Sequence, residues 1–334
     1  MTVDATETRI RAGLWDYVRI ARLDHVTKHV FIVPGIVLAL LLRPEAGAEF
    51  GLAMLATIAI GFTAAVHVAS ANYVINEWLD REFDRFHPEK SQRAAVQREM
   101  SARIVWIEYL ALLVAGLGLA LMLNQTFFCA AMLLAVSGLT YNVPPVRTKD
   151  RVYIDVLTES LNNPIRLLMG WALVDGASLP PASLFLAFWF GGAFLMNAKR
   201  LAEYRDIVAS DGVAILGKYR RSFAFYSEER LSVANLAYAL ICAFFMAIFL
   251  IKYRIEYVLV FPCIVYLFAI YYRLALTPDS VARKPEKLFR SPSVLAGVLA
   301  TTAMFAFTTL VDISWLEPLT KQLFITIASD LSLD

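Results

Sequence analysis

The sequence predicts an all-α, polytopic membrane protein: a bundle of about nine transmembrane helices with its amino terminus in the cytoplasm. Three observations predict it. Of 334 residues, 59% are hydrophobic and 18% charged, with a mean hydropathy of +0.59, more apolar than soluble domains usually are. Apolar windows of about 20 residues, the length that crosses a bilayer, have approximate cores at 23–43, 50–76, 103–123, 125–142, 152–174, 182–204, 229–251, 255–275 and 291–314. With the amino terminus inside, 26 of the 31 Lys and Arg residues fall on the cytoplasmic side, as the positive-inside rule expects. The chain then divides into a cytoplasmic segment over 1–22, a membrane-embedded catalytic domain over 23–316 and a short tail over 317–334. The first twenty residues are polar and no cleavable signal peptide is expected. Cys129, Cys242 and Cys263 lie in apolar segments without paired spacing and read as packing residues.

The first span is the weakest, because Asp24, His25, Lys28 and His29 occupy its opening turns. Lys28 is either a snorkelling anchor or an anion donor. His25 and His29 have no third ligand near in sequence, so no zinc site is expected. The second span runs into Asn76-Glu77-Trp78-Leu79-Asp80-Arg81-Glu82-Phe83-Asp84, where Asn76, Asp80 and Asp84 stand at i, i+4 and i+8 and share one helical face. Acidic groups at the end of a membrane-buried helix are costly and read as functional, and two carboxylates one turn apart call for a cation between them. That donor set suits Mg²⁺, which takes one or two carboxylates plus substrate phosphate oxygens. Arg85, Lys90 and Arg93 follow as donors for the other side of a diphosphate.

The third and fourth spans are separated by little more than Asn124-Gln125, which predicts a tight hairpin. The fourth leaves through Tyr141-Asn142-Val143-Pro144-Pro145-Val146-Arg147-Thr148-Lys149, whose double proline stiffens the exit and whose Arg147 and Lys149 suit a phosphate. The fifth carries Asp155, Glu159, Asn162 and Arg166 at helical spacing, a polar stripe expected to face the bundle interior. Asn162 and Asn163 equally suit structural interhelical bonding. Pro180-Pro181 and Pro278 fall in connections. The sixth span ends in Lys199-Arg200-Leu201-Ala202-Glu203, where Lys199 and Glu203 share a face. This is either an anion site or an ordinary intrahelical ion pair. The connection containing Lys218, Arg220, Arg221, Ser222, Tyr226 and Ser227 either closes over a phosphate or attracts lipid headgroups.

These residues resemble the UbiA-type intramembrane prenyltransferase superfamily over nearly the whole chain. Its hallmark N-D-x-x-D-x-x-x-D stretch, ending the second of nine helices, is met by Asn76, Asp80 and Asp84, with Glu77 in place of the usual aspartate. Within it, the chain is most similar to the branch that includes decaprenyl-phosphate phosphoribosyltransferases. That branch has K-R-x-x-E, as at Lys199-Arg200-Leu201-Ala202-Glu203, in place of a second D-x-x-x-D. It also has D-R-x-H-P-x-K, as at Asp84–Lys90, and P-E-x-x-x-R, as at Pro285–Arg290. The usual opening R-P-x-x-W-x-K-N is kept only in part by Arg22–His29, which retains Lys28, and the usual proline after Arg93 is absent.

Two chemistries in this superfamily start from a magnesium-bound diphosphate: transfer of an isoprenoid to an aromatic or other small acceptor, and transfer of 5-phosphoribose from phosphoribosyl pyrophosphate to a polyprenyl phosphate. Lys199 and Arg200 favour the second, because cations suit a bare phosphate where a second metal would need carboxylates. Expected roles are Asn76, Asp80 and Asp84 at Mg²⁺ and diphosphate, with Asp80, Asp84, Lys199 and Glu203 catalytic. Lys28, Arg85, Lys90, Tyr141, Arg147, Lys149, Asp155 and Arg200 are expected at the substrates. Partners are then a polyprenyl lipid, a diphosphate-bearing small molecule and membrane lipids, with no nucleic acid. The expected location is the bacterial inner membrane, with the site facing the cytoplasm. A transporter or lipid-binding protein without turnover is the rival reading, but it predicts polar residues strung across the bilayer depth, whereas here they gather at one face, apart from the stripe in the fifth helix.

Overall fold

The computed structural model describes residues 10–47, 51–86, 90–277 and 291–321, with the side chains of Thr27 and Lys28 outside that description. The helices are α1 (Leu14–Ile20), α2 (Val33–Leu42), α3 (Leu52–Asp84), α4 (Ala94–Gln97), α5 (Ala102–Leu121), α6 (Gln125–Asn142), α7 (Ile154–Ser160), α8 (Asn162–Val174), α9 (Ala182–Asp211), α10 (Leu216–Tyr219), α11 (Glu228–Tyr253), α12 (Phe261–Ala275) and α13 (Pro292–Leu310). Among the described residues the only strand-like pairing is an isolated bridge between Arg11 and Glu99.

Six stretches are long and apolar enough to cross a membrane: α3, α5, α9, α11, Ile255–Ala275 and α13. The pair Leu14–Val26 and His29–Leu42, bent by 45°, makes a seventh if taken as one span. The expected first span is therefore no single helix. A 3-10 segment, Leu23–Ile32, precedes α2, and Pro34 in the first turn of α2 has no N–H to extend an α-helical ladder backward. The expected fifth span is likewise broken, at Leu161 between α7 and α8. Pro164 accounts for this, since it cannot donate to the Ser160 carbonyl and its ring crowds that group. The stretch 125–142 is helical throughout, and Asn124 caps it by accepting from the Phe127 N–H at 2.8 Å. The Asn124 amide also donates to the Ala172 carbonyl at 2.8 Å, pinning the α5–α6 hairpin to α8.

Helix α3 packs on α5 and α6, α2 on α8, α8 on α9, and α9 on α11. One core, including Ile32, Ala65, Val68, Phe127, Leu134, Ile165 and Met169, joins α2, α3, α6 and α8. Another, including Val156, Phe194, Ala198, Tyr238 and Tyr271, joins α7, α9, α11 and α12. Two helices, α3 and α9, are the longest among the described residues, with α11 next at 26 residues. At 1.5 Å per residue, the 33 residues of α3 and the 30 of α9 rise about 50 and 45 Å, beyond a hydrocarbon core of about 30 Å. Each is therefore long enough for its polar carboxy-terminal part, which carries Asp80 and Asp84 or Lys199 and Glu203, to extend past such a layer.

The tightest crossing is α2 on α8. A Cβ at Gly35 would lie 2.1 Å from the Leu167 carbonyl oxygen, and one at Gly170 would lie 2.0 Å from that of Ile32. Only glycine permits this backbone approach. Gly170→Val is expected to cost at least about 1–3 kcal/mol by forced overpacking and to lower the melting temperature in detergent. Gly118→Ala, where a Cβ meets nothing within 4 Å, should leave melting unchanged.

Candidate active site

The cytoplasm-expected end of α3 presents Asn76, Asp80 and Asp84 on one face, and each meets a partner from the chain that follows. Asp80 Oδ1 accepts from Arg147 Nη2 at 2.9 Å and from Lys149 Nζ in a very short contact. Lys149 Nζ also donates to Asn142 Oδ1 at 2.9 Å, and the Asn76 amide donates to that same oxygen. Asp84 Oδ2 accepts from Arg93 Nη1 at 2.5 Å. Cations thus face both carboxylates.

The α6 exit aims these cations. The Pro144–Pro145 bond is cis. Arg147 has φ +28°, a region that non-glycine residues rarely occupy. Three bonds hold it there: to Asp80, to the Asn142 carbonyl at 2.9 Å and to Asp150 Oδ2 at 3.1 Å. Lys149 is 5% exposed. Burial presses its ammonium down to about 8, against the opposing pull of Asp80.

A second cluster forms where α9 meets α7. Arg200 is buried, its Nε donating to Asp155 Oδ2 at 2.7 Å and its Nη2 to Glu159 Oε2 at 2.6 Å. The connection 212–227 folds over this pair. Tyr226 Oη donates to Asp155 Oδ1 at 2.6 Å and Ser222 Oγ to Oδ2 at 3.3 Å, while Arg220 Nη2 lies 3.4 Å from Oδ2. Burial, and then the Asp155 charge, push the Tyr226 phenol up, so it remains a donor. Phe223, Tyr226 and Leu216 pack with Leu201 and Ile207 of α9 to anchor the connection.

Tyr141 stands between the clusters. Its hydroxyl accepts from Arg220 at 2.6 Å and donates to Glu159 at 2.9 Å, while Lys149 Nζ sits 5.8 Å from its ring. Lys90 also bridges them. Its ammonium lies over the Tyr219 ring at 5.5 Å. Burial presses it down to about 8, with Glu203 and Asp84 the attracting charges. Lys199 and Glu203 face each other at 3.9 Å, too long for a hydrogen bond.

The expected residues thus fall into three groups. Asn76, Asp80, Asp84, Lys90, Tyr141, Arg147 and Lys149 converge, with Lys199 and Glu203 beside them. Arg200 and Asp155, expected at the substrate, instead neutralise each other with 1% and 0% side-chain exposure. They form the wall of the site. Arg85, expected as an anion donor, is exposed and pairs with Glu82 at 3.0 Å. The Lys28 side chain, His87–Glu89 and Pro285–Arg290 lie outside the described residues. Arg93, Glu159 and Arg220, which the sequence offers in the basic run after Asp84, the polar stripe and the basic connection, belong to the site, as does Asn142, which it does not single out as a ligand. Arg220 and Ser222 had a signal in the basic, hydroxyl-rich composition of their connection.

Among the described residues no group of three His, Cys, Asp or Glu side chains forms a metal cage. Two carboxylates and the Asn76 amide on one face fit a hard cation that brings its remaining oxygen ligands with a phosphate substrate. They do not fit a permanently resident, all-protein metal.

A family model, the UbiA prenyltransferase family, matches residues 31–294. A 143-residue stretch, 43% of this chain, is 32% identical to "Uncharacterized protein y4nM" of Sinorhizobium fredii (strain NBRC 101917 / NGR234), and the match spans 27% of that protein's length. A UbiA homolog from Archaeoglobus fulgidus, solved bound to GPP and Mg²⁺, has a TM-score of 0.65 at 22% identity, over 89% of this chain and 100% of that one. Digeranylgeranylglyceryl phosphate synthase has a TM-score of 0.56 at 15% identity, over 89% and 96% of the two chains. These structural likenesses show the fold, and the family match covers most of the chain. The protein therefore belongs to the UbiA prenyltransferase family.

Proposed function

We propose that the protein is a Mg²⁺-dependent membrane transferase that moves 5-phosphoribose from phosphoribosyl pyrophosphate to a polyprenyl phosphate. On this reading the nine apolar stretches of the sequence lie in a bacterial inner membrane, with the amino terminus and the site on the cytoplasmic side. The observation that carries the choice of substrate is the second cluster. Arg200 and Arg220 neutralise Asp155 and Glu159 there, so, among the described residues, Glu203 is the carboxylate that pairs with Lys199. That leaves cations for a bare phosphate and too few acids for a second metal. The alternative, transfer of an isoprenoid from its diphosphate, draws support from the homolog solved with GPP or DMAPP and Mg²⁺.

Asn76, Asp80 and Asp84 would hold Mg²⁺, which when bound offsets the charge that develops on the departing diphosphate. Arg147, Lys149, Lys90 and Arg93 are placed to take its remaining oxygens. In the reaction the anomeric C–O bond to diphosphate breaks as a bond to a polyprenyl phosphate oxygen forms, and diphosphate leaves with the electron pair. The chain's part is to position and to stabilise charge.

Asp80→Asn is expected to lower Mg²⁺-dependent turnover by at least about 10²-fold while the protein still inserts into membranes. Purified protein with radiolabelled phosphoribosyl pyrophosphate and polyprenyl phosphate measures this. No lipid-linked product from the wild type at any chain length would refute the reading, and turnover of an isoprenoid diphosphate with an aromatic acceptor would establish the alternative. Arg200→Met, by taking from the buried Asp155 its closest cation, should cost about 3–5 kcal/mol, read as a lowered melting temperature. Lys90 sets a pH limb. Its ammonium discharges at about 8 in the folded protein against an ordinary 10.5. The substrate-free protein therefore gains stability as pH rises between these values, whereas diphosphate affinity falls over the same rise. The KM for the diphosphate substrate should climb above pH about 8, and Lys90→Arg should flatten that climb.

A further inference from the structure

Among the described residues, the chemistry above leaves one buried cation unused. Arg166 on α8 is 7% exposed. Its Nη1 reaches only the Asn162 backbone carbonyl, at a long 3.3 Å, and its Nε is buried with no hydrogen-bond partner. No carboxylate among the described residues forms an ion pair with it. Arg200 shows the contrast, with carboxylate oxygens at 2.7 and 2.6 Å. Removing an unpaired guanidinium from water is costly, and an ionisable group inside a membrane bundle reads as a binding group.

The group that faces it strengthens this. Tyr73 of α3 is the titratable group that lies close enough to interact with Arg166. Tyr73, Asn76 and Asp80 stand at i, i+3 and i+7, each half-buried, so the face that carries the diphosphate ligands continues toward Arg166. That places Tyr73 about 10 Å of helix rise further into the membrane than Asp80. Around the Tyr73 ring lie the His25 ring at 5.2 Å and the Arg22 guanidinium at 5.9 Å. Tyr73 therefore stands among an imidazole and a guanidinium on the same helical face as the diphosphate ligands.

We infer that Arg166, with Tyr73, binds an oxyanion carried by the acceptor substrate. That group is the phosphate of a polyprenyl phosphate or the carboxylate of a small aromatic acceptor. The inference rests on the transferase reading. The geometry separates the two halves of the reaction: donor diphosphate at the helix ends, acceptor anion one layer deeper.

Binding measured on purified protein in detergent micelles tests this with four probes: inorganic pyrophosphate with Mg²⁺, a short-chain polyprenyl phosphate, the corresponding polyprenol, and benzoate. Arg166→Met should leave pyrophosphate binding within about twofold, weaken polyprenyl phosphate at least tenfold and leave polyprenol unchanged. It should also raise the melting temperature, because an uncompensated buried charge is removed. Arg166→Lys should restore most of the binding. Selective loss of benzoate in place of polyprenyl phosphate would support the subsite and name a carboxylate acceptor. Loss of neither anion, or loss of pyrophosphate together with a lowered melting temperature, would overturn the inference. Failure of the wild type to bind pyrophosphate with Mg²⁺ would instead refute the transferase reading itself.

Discussion

The buried pair of Arg200 and Asp155 is the interaction on which the rest of the site depends. At essentially zero exposure on both sides, neither group is tolerable without the other. Each bond that satisfies them therefore fixes a separate piece of chain. Glu159 ties in the rest of α7, Tyr141 the end of α6, and Ser222, Tyr226 and Arg220 the connection after α9. A hydrophobic pair would pack as well and cost less, but it would not specify which atoms meet. The ion pair contributes register more than stability, and it sets how α9 stands against the α6 exit.

That register determines what Lys199 and Glu203 do. Adjacent residues on a helix point about 100° apart, so turning Arg200 into the wall leaves Lys199 on the open side, one turn from Glu203. The Lys-Arg dipeptide thus divides into a wall residue and a site residue. A sequence shows the dipeptide but not which member faces inward, because that depends on Asp155, 45 positions away.

Much of the rest was legible. Helical spacing placed Asn76, Asp80 and Asp84 on one face, and α3 continues without a break to Asp84. The hairpin at Asn124 followed from the short polar interval. The break at Leu161 was legible in principle through Pro164, but an averaged hydropathy window hides a single missing N–H. Local rules of this kind read well from sequence because cause and effect lie within one turn. The pairings of Asp84 with Arg93, Asp80 with Arg147, and Tyr141 with Arg220 depend on how helices and loops meet, and composition shows only that enough opposite charges exist.

The balance of those charges bears on how a site can be stable before substrate arrives and still bind a polyanion. Asp80 and Asp84 are held by Lys149, Arg147 and Arg93, the cations that the proposed function assigns to phosphate oxygens. Binding a metal-chelated diphosphate is then an exchange of partners: carboxylates turn to the metal and cations to the phosphates, and no charge is left buried alone at either stage. The cost of desolvating the site is met largely during folding, so substrate binding needs little new ordering. Arg166 stands outside this exchange. Since no acid among the described residues holds it beforehand, the subsite inferred for it would be compensated by the arriving anion, which would make it the more selective of the two binding features.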